Sequence, residues 1–174
     1  MFLTPAILRG VFIPNRVNLE SVVKMDRKKL ILSAAAFTLI SFAVNFIGAI
    51  EDMGYYTAPA NAALWSKEMM PSNASPPFSF FILTIAFTFI SSLVIAYAFS
   101  ISKQAFYSKK AFSADRAWVA GAKFGLFIFL LLHLSGFFTM YMLLSIPTGL
   151  LFSWLVQGFF SSMLGGMAMA RLME

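Results

Sequence analysis

The chain has no cysteine, a single histidine and few charges. Without cysteine it holds no disulfide, no thiolate metal site and no cysteine nucleophile, and its redox compartment is left open. Charged residues make up 11% of its 174 positions, where an ordinary soluble domain has about 25%. A surface that faces water all round is excluded by that shortage, and the class is integral membrane protein. Recognisable reaction motifs are missing too: there is no HExxH, GxSxG, Walker loop or GxGxxG. One histidine and no second buried carboxylate leave no nucleophile–base pair and no metal cluster. Ser135 lies two positions from His133, so on a helix their side chains diverge. No catalytic site is expected, and the chain is not read as an enzyme.

Apolar residues are what it has in quantity. They form 60% of the sequence, mean hydropathy is +0.81, and there are 21 Phe and 11 Met. A helix needs about 20 apolar residues to cross a hydrocarbon core about 30 Å thick. Four stretches qualify, at 30–50, 78–102, 124–146 and 149–170, predicting an all-α membrane four-helix bundle within a domain spanning 25–174. The last two spans are separated only by "SIPTG", a hairpin turn broken by Pro147 and Gly149.

The 13 basic residues fall unevenly: six before the first span, five from Lys103 to Lys123, and Arg171 after the fourth, leaving only Lys67 in the first connection. Basic residues favour the cytoplasmic side, so both termini and the 103–123 loop are expected there. The net charge of +6 is therefore a topology signal, and no nucleic-acid partner is expected. Residues 1–24, interrupted by Pro5 and Pro14, are too short to span and read as an N-terminal extension or a surface-lying segment. In the first connection, "ANAALWSKEMM" reads as a short helix on the outer membrane surface, started near Pro59 and stopped by Pro71. Tyr55, Tyr56 and Trp65 are its interfacial anchors.

Every span carries small or polar residues at every fourth position, which lets helix backbones approach closely in lipid. Ser92 on the second, Gly125 and Gly136 on the third, and Ser161, Gly165 and Gly166 on the fourth are candidate packing positions. Asn45 lies roughly 8 Å below the outer end of its span and Gln157 roughly 12 Å below. His133 comes out near the midplane, level with Ser91 and Ser92. These residues, with Asp52, are candidates for a polar pathway or for interhelical hydrogen bonds. A haem on His133 would need a second axial group, so no cofactor and no metal are expected.

The run "SFAVNFIGAIEDMGYY" sets two carboxylates directly after the first span. A 21-residue helix from Leu30 is about 31 Å long and ends just before Glu51. Both acids are therefore expected at the outer water boundary. Asp52 continues the polar stripe of the helix, whereas Glu51 points roughly 100° away. Asp52 is read as a solvated helix end, the competing reading being the guard of an external mouth above Asn45.

"YYTAPANAALWSKEMM" after a first span and "YMLLSIPTGLLFSW" late in the chain resemble a group of small four-helix bacterial inner-membrane proteins. The matching positions are Tyr56, Ala63, Leu64, Trp65 and Met69, with Ser66 where many of that group have Arg, and the resemblance covers most of 26–170. It implies a multi-pass inner-membrane protein and brings no catalytic residue with it. The expectation is a structural or accessory subunit of a larger membrane complex, or a homo-oligomer, in the lipid bilayer. The alternative is a small-solute or ion transporter with a polar pathway between its helices.

Overall fold

The computed structural model describes residues 26–67, 69–70, 76–106 and 115–174. The 1–24 segment and most of the basic loop after the second span lie outside them. Among the described residues the chain is all-helical, and four of its helices are long and apolar enough to cross a membrane.

Helix α1 spans Arg27–Glu51. Its start is set by Asp26, whose side chain accepts the Lys28 N–H at 3.0 Å and so satisfies one of the helix's unpaired amides. A single turn, α2 (Met53–Tyr56), follows directly, and then a 3-10 turn at Pro59–Leu64. The surface helix expected over the "ANAALWSKEMM" stretch is thus shorter and tighter than its sequence suggests. It stops where Trp65 becomes extended, and the Trp65 indole donates back to the Tyr56 carbonyl at 3.1 Å, which turns the chain away from a continued helix.

Helix α3 spans Phe78–Phe106. The third span is composite: α4 (Asp115–Ile128), a wider π-helical segment at Phe129–Leu134, and α5 (Ser135–Leu143). It begins well before the expected residue 124, because Ala117, Ala120 and Gly121 continue its packing face beyond the apolar core. It ends before the expected residue 146: Leu144 is already extended, as suits a chain approaching Pro147. Helix α6 spans Thr148–Leu172.

The long helices are antiparallel neighbours in the order α3, α1, α6, α4/α5. Helix α6 is central, and glycine sets its approach. A Cβ on Gly121 or Gly125 would strike the backbone carbonyls of Gly166 or Ser162, so α4 and α6 touch backbone to backbone. On its other face, Gly165 receives the Phe37 ring of α1. Gly136 differs: a Cβ there would meet nothing within 4 Å, so this expected packing position packs against no helix.

The two ends of the bundle are not alike. At the terminal end, which carries Asp26 and Glu174, the ring is closed. The Phe99 and Phe106 rings of α3 lie 4.9 Å and 5.4 Å from the Phe124 ring of α4. Phe99 and Phe124 are buried together with Ala34, Ala96 and Met169. At the opposite, hairpin end, α3 packs on α1 and α5 packs on α6, with no comparable seam between α3 and α5. Only 6% of the apolar core of the second and third spans is buried, against 28% of the first and 39% of the fourth. The bundle is a ring at one end and a cleft at the other.

Candidate functional site: a polar cluster beside a cleft

Asp52 caps the C-terminus of α1, and its N–H donates to the Gly48 carbonyl at 2.8 Å. That backbone turn swings its side chain toward α6 rather than into water. Asp52 is 3% exposed, which corrects the reading of a solvated helix end; Glu51, one position earlier, is exposed as expected. The difference follows from their angular positions on α1: Asp52 lies on the stripe that α6 covers.

The Asp52 carboxylate meets two partners on α6. Ser153 Oγ donates to Oδ2 at 3.0 Å, and Gln157 Nε2 donates to the same oxygen at 2.9 Å. Gln157 Nε2 also donates to Ser153 Oγ at 3.0 Å, closing a triangle. Gly48 makes room for this arrangement, since the Gln157 amide lies where a Cβ at position 48 would sit. An ionised carboxylate only accepts hydrogen bonds, so the amide orientation is fixed with its nitrogen toward Asp52. Both amide protons are then used, and among the described residues the Gln157 carbonyl oxygen is left without a donor.

Above the triangle lies an aromatic latch. Trp154 Nε1 donates to the Tyr56 hydroxyl at 3.0 Å, and the Tyr56 and Trp65 rings meet edge to face at 5.1 Å. Burial pushes the Tyr56 hydroxyl above the usual tyrosine pKa; the Trp154 hydrogen bond works against that shift and the nearby Asp52 charge adds to it. Tyr55 reaches the start of α6, where its hydroxyl occupies the space a Cβ on Gly149 would need. All three expected anchors therefore hold the hairpin end together, Trp65 and Tyr56 to each other and Tyr55 to α6.

Three cavities open at this end: one of about 490 Å³ beside the Tyr56–Trp65 pair, and two more on either side of Asn45 and Trp154. The larger of these two, about 480 Å³, lies between α1, α3 and α6 and is lined by Phe42, Phe46, Phe80, Phe81 and Gln157. The smaller, about 250 Å³, lies between α1, α6 and the third span, against His133, Gly136 and Gly158. Asn45 is exposed and its amide makes no hydrogen bond among the described residues. At its depth in the span, lipid offers an amide no partner; water or a guest in the cleft must supply one.

His133 does not join Ser92 in a central polar layer. The Ser92 hydroxyl accepts from Thr38 across the α1–α3 seam at 3.0 Å and donates to the Thr88 carbonyl at 2.7 Å. His133 instead lies against Gly158 of α6 and stacks on Phe129, with ring centroids 6.3 Å apart. It shares the smaller cavity with Asn45. Among the described residues the buried hydroxyls of Ser161 and Ser162 on α6, and of Ser33 and Ser41 on α1, have no partner. These serines serve as small residues, not as hydrogen-bonding links.

Ser153, part of the every-fourth-residue ladder of the fourth span, and Trp154 join the site although neither was among its expected residues. Ser153 stands four residues before Gln157 on the same face, and that spacing was the available signal. Among the described residues no three histidines or carboxylates gather as a metal site would require. No protein family matches the chain, and searches of curated proteins and of solved structures find no significant match.

Proposed function

We propose that the protein is a non-catalytic accessory subunit of the bacterial inner membrane, with both termini cytoplasmic, whose work is to hold a guest in the outer half of the bilayer. One observation carries the reading: the bundle is sealed by Phe99, Phe106 and Phe124 at the terminal end, while Asn45 and Gln157 line a cleft toward the hairpin end. The distribution of basic residues places the seal at the cytoplasmic side and the cleft at the outer side. The short Pro59–Leu64 turn with its tyrosines and Trp65 then lies along the outer interface.

A continuous pathway for ions or small solutes is the second reading, favoured by the unpartnered Asn45 amide. It requires the phenylalanine seal to part. The two separate by reconstituted flux together with the mass of the natively extracted assembly. The accessory reading predicts a defined larger assembly and no flux. Flux abolished by His133→Ala and Asp52→Asn in folded protein overturns it in favour of the pathway.

A further inference from the structure

The cavity between α1, α3 and α6 has chemistry specific enough to name a guest. Its volume of about 480 Å³ lies in the range of small-molecule sites, about 300–1,000 Å³. The walls carry aromatic rings from three helices: Phe42 and Phe46 on α1, Phe80 and Phe81 on α3, and Trp154 on α6. Aromatic pairs prefer offset or edge-to-face contacts, so a planar ring is favoured over a chain. None of the described lining residues is charged.

The polar residues of the lining are Asn45, Tyr56, Thr84, Trp154 and Gln157; the Thr84 hydroxyl is spent on the Phe80 carbonyl and the Trp154 N–H on the Tyr56 hydroxyl. The Asp52–Ser153–Gln157 triangle commits both Gln157 amide protons, one to Asp52 and one to Ser153. What Gln157 offers the cavity is a carbonyl acceptor held in place, and a guest must donate to it. The Asp52 charge behind this amide, with no cation among the described lining residues, disfavours anions. Asn45 lies beside Gln157 and supplies a second, adaptable amide.

We propose that the cavity between α1, α3 and α6 binds an uncharged aromatic molecule bearing one hydroxyl or N–H donor, which the Gln157 carbonyl accepts. This inference rests on the reading of an open cleft. Asp52 acts as a positioning residue: it fixes which end of the Gln157 amide the guest meets. An acyl chain of a bilayer lipid is the competing occupant, since it would satisfy the walls and ignore the Gln157 carbonyl.

The test uses three probes with the same ring: 4-bromophenol, 4-bromoanisole, which lacks the donor, and 4-bromobenzoate, which is anionic. The full chain, with Trp65 and Trp118 changed to Phe, is placed in phosphatidylcholine nanodiscs, and bromine quenching of Trp154 fluorescence is followed. The expected result is saturable quenching by 4-bromophenol, about tenfold tighter than by 4-bromoanisole, the size of one well-placed hydrogen bond. No saturable quenching is expected from 4-bromobenzoate. Gln157→Leu should erase the preference for the phenol. Thr84→Phe, which fills the cavity without touching the Asp52 triangle, should abolish saturation in a protein of unchanged helicity. Linear quenching that is alike for the phenol and the anisole, and indifferent to Thr84→Phe, is bilayer partition and overturns the proposal. A cysteine introduced at Asn45 separates the two failures. If it reacts with a water-soluble thiol reagent while quenching stays linear, the ligand class alone is wrong; if it is inert, the open cleft itself is wrong.

Discussion

Gln157 Nε2 donates to Asp52 Oδ2 at 2.9 Å, joining the middle of the last helix to the end of the first across 105 residues of sequence. Ser153 donates to the same oxygen, so one buried carboxylate satisfies two helical side chains. This is where the α1–α6 seam is tied at the hairpin end.

Removing the carboxylate leaves the Ser153 hydroxyl and one buried Gln157 amide proton without their acceptor. Asp52→Ala is therefore expected to destabilise the bundle by about 1–3 kcal/mol. Asp52→Asn keeps one acceptor oxygen and should cost less. Thermal unfolding in mild detergent, followed by circular dichroism, ranks the two.

Glycines of similar sequence context should behave oppositely. Gly166 faces the Gly121 carbonyl and Gly125 backbone, and Gly165 faces Phe37. Leucine at either position should cost about 1–3 kcal/mol through overpacking, and both together should break the bundle. Gly136 meets nothing; Gly136→Leu should be neutral, or stabilising by about 0.8 kcal/mol from helix propensity. Unfolding midpoints of the three variants check the contrast.

Tyr56 should link stability to alkaline pH. Its hydroxyl is held above the usual value of about 10, chiefly by burial, with the Asp52 charge adding to the shift. The folded state therefore keeps this proton where the unfolded state has lost it. The resulting stability is complete below the unfolded tyrosine value and is lost as pH rises through the folded one. Tyr56→Phe should remove that part of the alkaline decline. Asp52→Asn should bring the Tyr56 titration down, and Trp154→Phe should push it up. Difference absorbance of tyrosinate reads all three.

Much of the fold was legible because lipid enforces it. Four apolar stretches and two proline-marked breaks locate the four spans, and small residues at every fourth position on each of them announce close helix packing. The unequal ends were not legible. The ladder with Gly136 looks like those of Gly125 and Gly165, and only the gap between the third span, α1 and α6 leaves it bare. Angular position already separated Asp52 from Glu51 on α1, yet the burial of Asp52 depended on Ser153 and Gln157 arriving from α6. Likewise, depth alone grouped His133 with Ser92, whereas the intervening α6 decides that it meets Gly158 and shares a cavity with Asn45.

The central proposal is a bundle sealed at the cytoplasmic end and open at the outer end, and single-cysteine accessibility tests it most directly. The chain has no cysteine of its own, so each introduced thiol reports alone. With right-side-out vesicles and a small, charged, membrane-impermeant thiol reagent, cysteines replacing Asn45 and Thr84 are predicted to react. Those replacing Ala34, Ala96 and Phe124, all at most 1% exposed, are predicted to stay unmodified. Equal protection of all five positions, or labelling of the Phe124 site from outside, would contradict the account.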